Sequence, residues 1–215
     1  MYSGAEHLEY MGRDLPYTML QYWQTNLSTL LLNMTRGSFA EFIVNCALDA
    51  GGCDTLSEAK TGMEPYDIEG PEIPACGRSS RIEVKSSASI QLDTPDEKEP
   101  LRLPPGRIVF SIRKAVDWGN VEAGPKHNND LYVFCHFTAT RKSDNILDMK
   151  YWDFYVYPTF KIDEHKSLSK QNTISLARLI RLGVPKQSFD TLNRAILDTI
   201  DEISKHFSDK EIEIK

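Results

Sequence analysis

The chain has 215 residues, of which 40% are hydrophobic and 26% charged, and its formal net charge is −6. This length and composition predict one packed domain and exclude a disordered or fibrous chain. The acidic balance weighs against a nucleic-acid partner, because phosphate binding rewards Lys and Arg, yet a local basic face is compatible with an acidic whole.

No apolar run approaches the roughly 20 residues that span a bilayer, so no membrane partner is expected. The opening MYSGAEHLEYMGRDLP lacks the basic and apolar regions of a secretory signal, which predicts a cytoplasmic location. Cys46, Cys53, Cys76 and Cys135 form no C-x-x-C pair and read as reduced, mostly buried thiols.

Residues 1–14 are polar and read as a flexible segment; residues 15–215 read as a single domain. The first helix is predicted over 15–33, with Met19, Leu20, Trp23, Leu27, Leu30 and Leu31 at helical spacing and Pro16 in its first turn. A second helix is predicted over 35–50, with Phe39, Phe42, Ile43, Ala47 and Leu48 as its buried stripe and Gly51-Gly52 as its stop. A loop over 53–64 leads to a short strand at 65–68, a Gly/Pro-rich turn, and a strand over 81–91. Residues 92–106 read as an exposed, substrate-facing loop. Aromatic and β-branched enrichment predicts strands over 107–114, 130–137 and 151–157. A short helix or strand is expected at 174–182, and a last helix over 188–207 with Phe189, Leu192, Ile196, Ile200 and Ile203 along one side. The order implies an α/β domain with a central mixed β-sheet of four or five strands, flanked by helices.

The segment Ile82-Glu83-Val84-Lys85 carries the chemistry. Residues two apart in a strand share a face, so Glu83 and Lys85 point one way while Ile82 and Val84 point into the core. In most proteins such a pair is a plain ion pair. Asp67 changes the reading, because pairing of its strand with the next sets it beside Glu83. Adjoining carboxylates repel unless a cation lies between them. Mg²⁺, or Mn²⁺ in its place, takes oxygen ligands of this kind. Lys85 then stands where it can orient or deprotonate a water activated for phosphodiester hydrolysis. Glu41, on the preceding helix among Phe39, Ala40, Phe42 and Ile43, is a further candidate ligand or a partner for Arg36 or Lys85; the alternative is an exposed helix glutamate.

Helical Glu41, then Asp67, then Glu83-Val84-Lys85 resembles the PD-(D/E)xK nuclease superfamily, over about residues 35–137. The runs GSFAEFIVNCALDA, YDI and IEVKSSASIQ are also similar to uncharacterised bacterial restriction-endonuclease-like proteins. Pro65-Tyr66-Asp67 stands where that family has Pro-Asp, with one residue inserted. The resemblance implies a restriction-endonuclease-like fold with a core at 35–137 and a C-terminal strand and helices at 151–207. It implies Asp67 and Glu83 as metal ligands, the Val84 carbonyl as a further ligand, and Lys85 as the catalytic lysine. The implied activity is a Mg²⁺-dependent endonuclease acting on DNA in a restriction or defence role. The alternative is a nuclease-fold module that binds nucleic acid or a protein partner without chemistry. A third reading is an assembly role, in which the N-terminal helical region and the C-terminal helix mediate a homodimer; this is compatible with the nuclease.

Ser87 and Gln91 share the Lys85 face if the strand stays regular, and would then reach a phosphate. Arg113, Lys114 and Arg36 are candidates to grip the nucleic-acid backbone, with Arg78 and Arg81 as similar ones. His127-Asn128-Asn129-Asp130 reads as turn chemistry before a strand. His136 reads as a packed histidine. The aromatic set from Tyr151 to Tyr157 reads as sheet packing rather than a base-stacking platform.

Overall fold

The computed structural model describes residues 2–55, 64–95 and 101–213. Near the N-terminus, β1 (His7–Tyr10) and β2 (Arg13–Thr18) pair as an antiparallel hairpin where loosely ordered chain was expected. The predicted helix over 15–33 is cut short at both ends. Pro16 falls within β2, and Thr18 with Gln21 forms a capping box that starts α1 (Met19–Asn26). The helical periodicity there has no core to face: α1 has no buried residue, and Leu20 and Leu27 are exposed.

The second helix, α2 (Asn33–Ala50), buries Ala40, Ile43, Val44, Ala47 and Leu48, a stripe at the i, i+3, i+4, i+7, i+8 spacing of one helix face. Phe42, expected in that stripe, lies about one step round the helix and is 52% exposed.

The predicted strands at 65–68 and 81–91 become β3 (Ile68–Ile73) and β4 (Arg78–Ala88), each displaced from its expected place. They are joined by a tight turn in which Gly77 takes φ +60°, a conformation other residues adopt at a cost. The strand predicted over 107–114 shrinks to β5 (Val109–Ser111). The next two are close to expectation: β6 (Leu131–Phe137) and β7 (Trp152–Pro158). The ambiguous stretch at 174–182 holds both alternatives in turn. After α3 (Thr159–Glu164) come β8 (Thr173–Ser175) and α4 (Leu176–Arg181), and then the long α5 (Phe189–Glu213). Most of the predicted loop at 53–64 and the middle of that at 92–106 fall outside the described residues.

The architecture is mixed α/β. The main sheet has four strands in the order β3-β4-β6-β7; β4 and β6 run parallel, and the outer pairs are antiparallel. β5 does not join it. It pairs with β8 in a separate two-stranded sheet. One face of the main sheet (Ile82, Val84, Val133, Cys135, Phe154, Val156) packs against α2 and α5. The other (Tyr132, Phe134, Tyr155, Tyr157) packs under β5, β8, α3 and α4. Coverage on both faces explains why β6 reads LYVFCHF, a nearly continuous apolar run rather than an alternating one. Among the described residues no helix is long and apolar enough to cross a membrane.

The cluster at 127–130 is structural. Asp130 receives both terminal guanidinium nitrogens of Arg78, at 2.7 Å each, and the Arg81 backbone N–H at 2.8 Å, which ties the start of β6 to β4. Asn128 and Asn129 donate to backbone carbonyls of Ala115 and Leu131, and His127 contacts the Ile112 carbonyl and Asp163. All four cysteines are free, but they are not mostly buried as expected: only Cys135 is, Cys46 and Cys53 are half-buried, and Cys76 in the β3–β4 turn is exposed.

Asp130→Ala removes an acceptor that three donors share in a nearly buried place. A loss of about 1.5–3 kcal/mol is expected, the range for a hydrogen bond to a charged group. Urea unfolding measures it as a lower midpoint with an unchanged slope.

Candidate functional site

The site begins with a backbone irregularity. The pairing of β3 with β4 ends at Ile68 opposite Ile82, and the Asp67 N–H still reaches the Ile82 carbonyl at 3.0 Å. Beyond that point β4 continues without β3. The Val84 N–H would be left facing a missing strand, but Asp67 Oδ2 accepts it at 2.7 Å. The side chain thus replaces a ladder bond the backbone cannot make. A strand residue points its N–H and C=O to the same edge, so the Val84 carbonyl faces the same gap.

Glu83 and Lys85 lie in register with Tyr132 and Phe134, on the sheet face away from α2. The Lys85 ammonium hydrogen-bonds Glu83 Oε1 and lies 3.8 Å from Asp67 Oδ2. One cation therefore spans both acids. The three side chains are 20–28% exposed, shielded yet reachable from solvent. Burial pushes the Glu83 carboxyl above the usual range; the charges of Asp67 and Glu41 add to this, and Lys85 opposes it. Glu41, half-buried on α2, thus lies near enough to act on Glu83 by charge. Burial, with the charges of Asp67 and Glu41, also pushes the Cys135 thiol up.

Asp67, Glu83 and Lys85 converge as expected, with Glu41 within electrostatic reach. Ser87 shares the Lys85 face and lies opposite His136 in register. Gln91 does not share it. β4 stops at Ala88, and the Gln91 N–H turns to Thr94 Oγ1 at 2.9 Å. Arg36 does not face a phosphate either. It is buried, and its guanidinium bonds Ser86 Oγ and the Leu31 carbonyl, at 3.2 Å each, and the Asn33 side chain. It fastens α2 to β4, and burial pushes its pKa down. Arg113 and Lys114 follow β5 and belong to the layer over the second face. Lys114 lies 3.8 Å from Asp163 Oδ1.

One neighbour was missed: Tyr132 stands beside Glu83 in register, and burial pushes its phenol far up. His136 is packed as expected; it sits between Ser87 and Asp153 across three strands, with both buried ring nitrogens unpartnered among the described residues. Alternation along LYVFCHF already sets Tyr132, Phe134 and His136 on one face, but only the register shows which residues flank them.

Among the described residues no group of three or more His, Cys, Asp or Glu side chains is arranged to hold a metal ion. Mg²⁺ is commonly held through one or two carboxylates while keeping several waters; the two carboxylates that meet here are Asp67 and Glu83, both within reach of the Lys85 ammonium, and Glu41 acts on Glu83 by charge. Comparison with known proteins adds nothing further: no family model, no curated protein and no solved structure matches the chain.

A carboxyl whose pKa is raised on folding favours the folded state while it holds its proton. That advantage is lost as pH rises from the unfolded value, near 4.3, through the raised one. Glu83→Gln should therefore raise Tm at pH 7 and change it little at pH 4. At this chain length each kcal/mol recovered is worth roughly 2–4 °C. Calorimetry at the two pH values checks this. A lower Tm at pH 7 would show that the contact with Lys85 outweighs the cost of burial.

Proposed function

We propose that this chain is a metal-dependent nuclease that hydrolyses phosphodiester bonds in DNA, with a restriction-endonuclease-like arrangement of its core. The observation that carries the reading is the Lys85 ammonium spanning Asp67 and Glu83 where β3 leaves β4. Two acids and an amine from two strands meet at an accessible gap in the sheet, a minimal set for this hydrolysis. The four-stranded mixed sheet, with the acid at the head of one hairpin strand and Glu-x-Lys on its partner, agrees with that arrangement.

Asp67, Glu83 and the Val84 carbonyl would hold Mg²⁺, with Glu41 as a further carboxylate near Glu83. When bound, the ion would polarise the phosphodiester and lower the pKa of a coordinated water. Lys85 orients the attacking water and takes part in its proton transfer. Asp67 keeps its hold on the Val84 N–H and so fixes the strand gap at which the phosphate must sit. Ser87, further along the same face, donates a hydroxyl hydrogen bond toward the substrate. Cutting both strands calls for two such sites, so a homodimer belongs to the same proposal, as does a cytoplasmic setting.

A second reading is a module of the same fold that binds nucleic acid or a protein partner without chemistry. One observation favours it: Lys85 already satisfies Glu83 directly, leaving the pair content without a metal.

The two readings separate on a plasmid substrate with Mg²⁺ or Mn²⁺. Asp67→Asn and Lys85→Ala are each expected to slow cleavage by about 10²–10⁴-fold, the usual cost of losing a placed proton-transfer group or its partner, with the far-UV circular dichroism unchanged. Calorimetric titration should show Mn²⁺ binding to the parent and weakened binding to Asp67→Asn. Equal cleavage by parent and variants, or no metal binding by the parent, defeats the nuclease reading.

A further inference from the structure

The charge of the chain is unevenly distributed. Residues 101–186 contain 14 Lys and Arg against 8 Asp and Glu, a net +6, while the remaining residues, with 11 against 23, carry −12. This segment supplies β6 and β7 of the main sheet and also β5, β8, α3 and α4, the layer that covers the Glu83–Lys85 face.

That layer holds an open polar depression of 520 Å³, lined among others by Ser167, Gln171, Thr173, Ser175, Arg178 and Arg181. Its lining has two arginines, hydroxyls and amides, and no carboxylate. Beside it, three N–H groups converge on the ring of His165. The backbone N–H groups of Ser167 and Leu168 reach Nδ1 at 3.2 and 3.3 Å, and Arg178 Nη2 lies 2.9 Å from Nε2. Arg donates only, and a neutral imidazole has a single acceptor nitrogen. Donors outnumber acceptors here, a deficit that water or a bound anion can fill. Arg178 is half-buried and held in place by the His165 ring, whereas Arg181 is exposed at the rim. A guanidinium fixed beforehand loses less freedom when it takes a phosphate in its two-pronged fork.

We propose that Arg178 and Arg181 form a backbone-phosphate site, by which this layer holds nucleic acid on its outer surface. The choice of nucleic acid among polyanions rests on the nuclease reading above. These two arginines are then what lets an acidic protein take a polyanion, since binding a phosphate backbone depends on the local cations and the counter-ions they release rather than on net charge.

Binding is measured on the full chain in EDTA, where cleavage plays no part, by fluorescence anisotropy of a labelled DNA duplex across a salt series. Removing two phosphate contacts in Arg178→Gln/Arg181→Gln should reduce the slope of log K against log salt by about 1.8, at roughly 0.9 per phosphate, and weaken binding about tenfold at low salt. The single Arg181→Gln variant, altered only at an exposed position, should lose about half that slope. Arg194→Gln/Lys205→Gln, on α5 across the sheet, should bind as the parent does. An unchanged slope in both the single and the double variant overturns the proposal. So does a parent that binds inorganic phosphate but no duplex, which marks a free-anion site. If the duplex binds through Arg178 and Arg181 yet no metal-dependent cleavage follows, the nuclease reading fails while this site stands.

Discussion

Where β3 stops and β4 continues, a single backbone N–H has to find a partner, and the Asp67 carboxylate provides it. That bond from Val84 is short, 2.7 Å, and charge-assisted. It makes the side chain of one strand part of the backbone pairing of the next. In consequence the acid is turned toward β4, where it lies 3.8 Å from the Lys85 ammonium, two residues along the strand from Glu83. Without this contact, Asp67 would be one more exposed carboxylate at a strand end, and Glu83 and Lys85 would be an ordinary same-face ion pair.

The sheet around this point separates apolar support from polar work. One face of β4 is closed by α2 and α5, which bury Ile82 and Val84 completely or nearly so. That anchoring sets the opposite-facing residues, Glu83 and Lys85, to within the tolerance of a packed core. Arg36 contributes from the closed side, spending its guanidinium on Ser86, Leu31 and Asn33 rather than on a ligand. The open side has a different character. Acids accumulate at the strand gap, where burial and the charges of Asp67 and Glu41 raise the Glu83 pKa, while residues 101–186, which supply the layer over that face together with β6 and β7, carry a net positive charge.

Elements with their own packing signal were legible in the sequence. The strands at 131–137 and 152–158 and the helices at 33–50 and 189–213 lie within a few residues of expectation or extend it, because burial on one or both faces leaves its period in the chain. Same-face placement of Glu83 and Lys85 was legible for the same reason. The region 15–33 misled because apolar spacing was present without a surface to bury it, and local capping at Thr18 decided where the helix starts. Gln91 misled because alternation predicts a face only as long as the strand lasts, and β4 ends three residues earlier.

What the sequence alone determined is which residues share a face and which segments are rich enough in apolar side chains to form a core. Those are properties of neighbours along the chain, governed by the periods of strand and helix. Only the tertiary structure decided that β5 leaves the main sheet, that Arg36 is buried, that Ser87, His136 and Asp153 stand abreast, and that Asp67 reaches Val84. Each of these depends on strand order and register, which are set by pairing between segments far apart in sequence and leave no local trace in the residues themselves.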